Sequence, residues 1–282
     1  MTEIRGFQGR SVAAFESRLL EDMARLIERH GGRPFVAASM REVPLEDNRE
    51  GLAFGEDLLR GRFDLIIFLT GVGARTLVDV LRTRFRIEDI TAALARTTLV
   101  VRGPKPAAAL KELGLAAGIA VPEPNTWRDL IRILDAQKPV TGLHVALQEY
   151  GLPNTELLEA LTSRGAAVTS IPVYRWALPD DVRPLQSVLT AIVAGEINVM
   201  LVTNAVQVDH VMRILDKDQQ SGFRRALLRM LVASIGPTAS ERLRHHGLPV
   251  DLEPSHPKMG TLVKETADKT EHLLRAKRLA GS

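Results

Sequence analysis

Cysteine is absent from the chain. That excludes disulfide bridges, thiolate metal sites and a cysteine nucleophile. No apolar run approaches the ~18 residues a membrane-spanning helix needs, and the polar start MTEIRGFQGR is unlike a secretory leader. The expectation is a cytoplasmic protein with no membrane partner. Aromatic residues are few, 4% against 45% hydrophobic, so alanine, leucine and valine must build the core. Neither sign of charge dominates. The 37 basic and 34 acidic residues leave a net charge of +3, too slight an excess to argue for nucleic acid, though it suits a small anionic ligand. The usual chemical signatures are missing as well. There is no P-loop, no Gly-x-Gly-x-x-Gly, no Gly-x-Ser-x-Gly elbow, no His-Glu-x-x-His and no cluster of metal ligands.

What is present is a duplication. VRGPKPAAALKELGL (Val101 to Leu115) and SIGPTASERLRHHGL (Ser234 to Leu248) share Gly-Pro, a leucine seven residues after the glycine, and Gly-Leu. Gly103 and Gly236 lie 133 positions apart (236 − 103), and three further pairs share that offset: Thr70 with Thr203, Ser11 with His144, Gly32 with Gly165. A period this long is a domain, not a solenoid repeat. Each copy reads as a short β run (Val12–Phe15; Val145–Leu147), a helix ending at glycine (Gly31; Gly165), and a second β run (Pro34–Ala38; Ala167–Val173). Then come a fully apolar strand (Leu65–Leu69; Val199–Val202), a helix (Ala74–Arg84; Val206–Leu215) and a fourth strand (Thr98–Val101; Leu231–Ile235). The Gly-Pro turn, a helix (Ala107–Leu113; Ala239–His246) and a short fifth strand (Ile119–Val121; Val250–Leu252) close the unit. Apolar strands without alternation are covered on both faces, and alternation of strand with helix predicts an open parallel sheet. Ligands in such folds sit beyond the carboxyl ends of the strands.

The doubled turn falls at that end. Glycine permits a sharp turn and close approach, and the following proline suits the first turn of a helix. The next N–H groups then face out at the positive end of the helix dipole, where phosphate or carboxylate is favoured. Thr70-Gly71 and Thr203-Asn204 are further strand-to-helix junctions, and Thr203 or Asn204 is suited to cap its helix. Glu16 and Glu149 stand near strand ends with no evident carboxylate partner. An enzyme built this way works by orientation and hydrogen bonding rather than by a strong acid–base pair. The only tyrosines are Tyr150 and Tyr174, the latter in SIPVYRWALP at a proline-flanked connection. Its hydroxyl is placed to donate to a leaving group or to lie in water at a domain junction. Trp127 and Trp176 read as core and junction residues, His245-His246 as complements to a helix dipole, and the tail HLLRAKRLAGS as a solvated terminal helix.

In order and spacing, GRSVAAFESR, LTGVGARTLVDVL, VRGPKPAAALKELGL, SIPVYRW and SIGPTASERLRHHGLPV resemble uroporphyrinogen-III synthases over Gly9 to Glu265. The resemblance implies an α/β protein of two similar doubly wound parallel-sheet lobes joined by a two-stranded hinge, with a ligand cleft between them. It implies that residues 1–38 and 177–282 form one lobe and 39–176 the other, where the repeat alone suggests a cut near Pro139–Gly142. It implies a monomer without cofactor or metal, whose substrate is hydroxymethylbilane, a linear tetrapyrrole with eight carboxylates. Porphobilinogen deaminase is the implied transient partner. The hydroxyl leaves, ring D attacks through its substituted carbon to form a spiro intermediate, and fragmentation and reclosure give uroporphyrinogen III. The family's catalytic tyrosine falls on Tyr174 and its cleft-lining threonine on Thr238. The implied substrate-binding residues are Arg18, Thr70, Gly71, Val72, Gly103, Pro104, Lys105, Gly151, Thr203, Asn204, Ala205, Gly236 and Pro237. The chain departs from the pattern in three places. Gly71 lacks a hydroxyl, Lys105-Pro106 stands where relatives carry a threonine, and Ser17-Arg18 replaces Thr-Arg. These changes alter side-chain chemistry and leave the backbone N–H groups. The alternatives are a non-catalytic two-lobed sensor of an anionic small molecule, for which no helix-turn-helix is visible, and a sugar-phosphate or nucleotide enzyme, for which no phosphate motif is visible.

Overall fold

The computed structural model describes residues 6–45, 47–149, 151 and 154–280. Tyr150 lies outside them. The chain opens with β1 (Ser11–Ala14), α1 (Leu20–Arg29), β2 (Arg33–Val36) and β3 (Arg41–Pro44). It continues through α2 (Arg49–Leu59), β4 (Leu65–Phe68), α3 (Gly71–Arg82), α4 (Ile87–Ala95), β5 (Thr98–Val101), α5 (Pro104–Glu112), β6 (Ile119–Ala120) and α6 (Trp127–Gln137). The second copy runs β7 (His144–Gln148), α7 (Thr155–Thr162), β8 (Ala167–Ile171), β9 (Tyr174–Ala177), α8 (Arg183–Val193) and β10 (Val199–Val202). It ends with α9 (Ala205–Ile214), α10 (Lys217–Leu227), β11 (Leu231–Ser234), α11 (Pro237–His245) and α12 (Met259–Ala280).

The chain divides into two compact units, Met1–Arg41 with Ala177–Ser282, and Glu42–Trp176. The first holds a parallel sheet in the order β11-β10-β1-β2, so strands from the beginning of the chain pair with strands from its end. The second holds a parallel sheet in the order β6-β5-β4-β7-β8. β3 and β9, where the chain passes between the units, form a two-stranded sheet. The parallel α/β architecture agrees with the sequence expectation.

Side chains of successive strand residues point to opposite faces, so each buried strand feeds two cores. In the second unit Ile66, Phe68, Leu99 and Val101 enter one apolar cluster, and Leu65, Ile67, Val100 and Leu147 enter another. In the first unit Ala13, Met200 and Val202 pack toward α8, α9 and α10, while Val12, Ala14, Val199 and Leu201 pack toward α1 and α12. Each sheet is therefore covered twice, which is why LIIF and VMLV show no alternation.

Three expectations need correction. Each copy has two more helices than predicted before its fourth strand: α2 and α4 in the first, α8 and α10 in the second. The fifth strand of the second copy shrinks to a single bridge between Ala233 and Leu252. The terminal helix is not merely solvated. Leu262, Val263, Ala267 and Leu274 are buried in the first unit, and Lys277 pairs with Asp251 at 2.7 Å. That face of the sheet needs an apolar cover, and α12 supplies it.

Candidate active site at the carboxyl ends of the strands

In the first unit Glu16, Ser17 and Arg18 lie just beyond β1, and Thr203 follows β10. The hydroxyl of Thr203 donates to Glu16 Oε2 at 2.6 Å and accepts from Gln207 Nε2 at 2.8 Å. Gln207 Oε1 in turn accepts from the N–H groups of Thr203 (2.9 Å) and Asn204 (3.3 Å). Asn204 is the N-cap of α9, its side chain accepting from Val206 N at 2.9 Å. Of the two residues proposed to cap, Asn204 does so, and Thr203 is committed to Glu16 and Gln207. Asn204→Ala is expected to lower unfolding free energy by about 1 kcal/mol, read from the urea midpoint, because Gln207 alone cannot replace the acceptor. Beside this network Ser17 Oγ is buried without a hydrogen-bond partner among the described residues, and Arg18 is exposed. His210 of α9 meets the carbonyl of Ser39 at 2.8 Å, and burial lowers its pKa.

The second unit repeats the plan with different parts. Thr70 caps α3, its hydroxyl accepting from Gly73 N at 3.0 Å. Its own N–H donates to Gln148 Oε1 at 3.3 Å. A glutamine thus accepts the N–H that follows the apolar strand in both units, but Gln148 comes from the end of β7 and Gln207 from α9. Gln148 is fully buried and its amide donates to the carbonyl of Glu149. A Cβ on Gly73 would lie 2.1 Å from Gln148 Nε2, so glycine is required there. Gly71 is required too. Its Cβ would stand 2.6 Å from the carbonyl oxygen of Lys105, because the first turns of α3 and α5 touch. The hydroxyl missing at Gly71 therefore has a backbone cause. Arg75 clamps the same pair of helices through two hydrogen bonds to Glu112, at 2.8 and 2.6 Å. Val72 packs partly against the core beneath.

The two Gly-Pro junctions differ from these. Gly103 is the N-cap of α5 and Gly236 that of α11, and no side chain caps either helix. Both glycines are extended, with φ of 174° and 164°. The expected sharp turn is not their reason for being glycine. A Cβ on Gly236 would meet only Pro257, at 3.7 Å. What both positions share is a bare approach to the helix start. In α11 the first N–H to reach back is that of Ser240, to Gly236 O at 3.0 Å, which leaves the N–H groups of Thr238 and Ala239 without an intrahelical partner. In α5 Ala107 N reaches Gly103 O at 3.3 Å, and Pro104 and Pro106 have no N–H at all. Only Lys105 keeps a donor in that turn, so the expectation that both N–H sets survive holds for α11 and is reduced for α5. The Lys105 side chain is exposed and, among the described residues, has no carboxylate partner. Asn125 lies against Gly103, its amide nitrogen donating to the carbonyls of Val121 (2.9 Å) and Arg102 (2.8 Å).

The remaining predicted residues are Tyr174, Gly151 and Ala205, with Glu149 noted beside them. Tyr174, first residue of β9, is 5% exposed and meets Trp176 edge-on at 5.4 Å. Gly151 has φ +81°, and its Cβ direction is filled by Trp176 at 2.1 Å, so packing explains this glycine. Ala205 occupies the first turn of α9. Glu149 is 6% exposed and accepts from Ser170 Oγ. Burial raises its pKa, the charge of Glu50 raises it further, and the Ser170 bond opposes both. Sequence reading noted Glu149 and Glu16 but missed Gln148, Gln207, Ser170 and Asn125. A glutamine closing the apolar run HVALQ was the available signal for Gln148. No group of potential metal ligands exists among the described residues, and no helix there is long and apolar enough to cross a membrane.

Comparison with known proteins bears on what such a site serves. A family model described as "Uroporphyrinogen-III synthase HemD" matches residues 21–264. An uncharacterized protein YjjA of Bacillus subtilis is 28% identical over 93% of this chain and 97% of its own length. A putative uroporphyrinogen-III synthase of Methanothermobacter thermautotrophicus is 29% identical over 79% of this chain and 84% of its own. A crystal structure of a mutant uroporphyrinogen III synthase of Thermus thermophilus superposes with a TM-score of 0.72 at 25% identity, covering 95% of this chain and all of that one. The Helicobacter pylori uroporphyrinogen-III synthetase, 13% identical with a TM-score of 0.51, shares the fold.

Proposed function

The chain belongs to the uroporphyrinogen-III synthase HemD family, and from that premise we propose that it is the lyase that cyclises hydroxymethylbilane to uroporphyrinogen III with inversion of ring D. The enzyme acts in tetrapyrrole biosynthesis. The observation that carries the reading is the pair of Gly-Pro helix starts, α5 and α11, which no side chain caps while their neighbours α3 and α9 are capped. An octa-carboxylate needs such donors. A carboxylate at a helix start gains from N–H groups and the helix dipole together.

The N–H groups of Thr238 and Ala239 take one acid side chain in the first unit. Lys105, through its backbone N–H and ammonium, takes another in the second. Thr203 and Thr70 hold their strand ends rigid through Glu16, Gln207 and Gln148 rather than by donating a hydroxyl to the ligand. Left alone the bilane closes without inversion, so the protein's task is to hold one conformation of a reactive chain. Orientation of this kind is worth several kcal/mol of barrier. Tyr174 then orients the terminal hydroxyl, and Thr238 adds its own hydroxyl at the mouth of α11.

The test is isomer analysis. Incubated with porphobilinogen and porphobilinogen deaminase, the protein should yield the type III isomer, and type I alone would overturn the reading. Lys105→Ala should raise KM roughly two- to fivefold with kcat little changed, as expected for one exposed charge contact. An unchanged KM would remove Lys105 from the site.

A further inference from the structure

Glu149 is a buried carboxyl at the ligand end of the sheet that the reading above does not use. It directly follows β7, the strand beside β4, and its backbone N–H is anchored to Ile171 O at 3.0 Å. Two residues on, Gly151 bridges to Arg175 and its Cβ direction is filled by Trp176. Glu50, which bears on it from α2, also lines an open depression of about 550 Å³ with Asp47, Arg49, Pro172 and Arg175.

The duplication supplies a control within the chain. Glu16 holds the equivalent position, 133 residues earlier and just beyond β1 in the first unit, and is only half-buried. It accepts from Thr203 Oγ1 at 2.6 Å and from Ser17 N at 3.3 Å. Glu149 is 6% exposed, has Ser170 as its side-chain donor, and pairs with no lysine or arginine among the described residues. The groups bearing on it are Ser170 from β8 and the like charge of Glu50 from α2, with Arg175 of β9 engaged beside Gly151. Burial and like charge both favour the protonated acid, and an approaching poly-carboxylate adds to that. The two equivalent positions thus differ in burial and in their hydrogen-bond donors.

We infer that Glu149 is the general acid that delivers a proton to the departing hydroxyl of the bilane, a role that rests on the synthase reading. The carboxyl O–H proton passes to the hydroxyl oxygen, the C–O bond breaks, and water leaves with that bond's electron pair. The cation is shared over the adjoining pyrrole. After spiro formation, fragmentation and reclosure, the ring carbon that forms the last bond loses its hydrogen as a proton, which the Glu149 carboxylate takes up. No other reagent is consumed. A carboxylic acid suits the step better than the phenol of Tyr174, whose ordinary pKa is about 10.

The test compares wild type, Glu149→Gln, Glu149→Asp and Glu50→Gln in the deaminase-coupled assay from mildly acid to alkaline pH. Glu149→Gln should lose roughly 100-fold or more in kcat with little change in KM. Its residual rate should lack the wild-type fall on the alkaline side. Glu149→Asp should recover part of the rate with the fall restored, and Glu50→Gln should move the fall to lower pH. Stability separates this role from a structural one. A carboxyl whose native pKa is raised contributes fully below its unfolded pKa and loses that contribution as pH rises through the native value. Glu149→Gln should therefore resist urea at neutral pH at least as well as wild type while being slow. A Glu149→Gln protein with wild-type rate and pH profile, or one slow with an unshifted profile, overturns the assignment while type III production by wild type leaves the synthase reading intact.

Discussion

Gly71→Ser is expected to damage the protein although it supplies the hydroxyl that the family resemblance implies at this position. The new Cβ would lie 2.6 Å from the carbonyl oxygen of Lys105 and 2.9 Å from its carbonyl carbon. Both are backbone atoms, so no rotamer change relieves the contact. The first turns of α3 and α5 must part, and overpacking of this kind costs about 1–3 kcal/mol. The functional loss should exceed the loss of stability. These two turns carry Thr70, Val72 and Lys105, and a displacement near 1 Å can cost roughly 100-fold in rate where orientation is the catalytic device. Gly71→Ala serves as the control, since it adds the Cβ without the hydroxyl and should fail equally. The urea midpoint and the type III rate check both variants. If serine is accepted at full activity, the close approach of α3 and α5 is not a constraint.

Phe68→Ala should give the largest loss of stability of any substitution considered. Phe68 ends β4, the middle strand of the five-stranded sheet, and is 1% exposed among Phe54, Leu77, Leu81 and Tyr174. Truncation removes the ring from a site whose walls are sheet and helix, so the cavity cannot collapse, and the cost is about 3–5 kcal/mol. Val193→Ala, at a residue 41% exposed on α8, should stay within about 0.5 kcal/mol. Chemical denaturation of the two side by side checks the contrast. Equal midpoints would mean that β4 is not the keystone of its unit.

The sheets were readable because a doubly covered strand has no polar face to disguise it. LIIF and VMLV could be nothing else, and the constant offset placed their neighbours. The mouths were half readable. Gly-Pro marked α5 and α11, yet the reason for glycine was misjudged, since an extended φ is open to any residue. Pro106 had already removed an N–H in plain view, because proline carries none. Gln148 and Gln207 were not readable as partners of equivalent threonines, because they come from non-equivalent elements and only folding brings each to its Thr N–H. Glu149 was visible as a residue, but its setting depends on Glu50 and Ser170, far off in sequence. The helices α2, α4, α8 and α10 went unpredicted, α4 and α10 burying only three residues each, and α12 was misread because its charges outnumber the few leucines and alanines it buries.

The threading of the first unit sets an order of events during synthesis. β1 and β2 leave the ribosome first, but their sheet partners β10 and β11 are made only after the whole of Glu42–Trp176 has been translated. At about 5–20 residues per second that is a wait of many seconds. The middle segment is contiguous and can close its own sheet in the meantime. The opening β-α-β stretch must stay soluble as an orphan until the last strands emerge, which gives the nascent chain a built-in interval of exposure to chaperones and proteases.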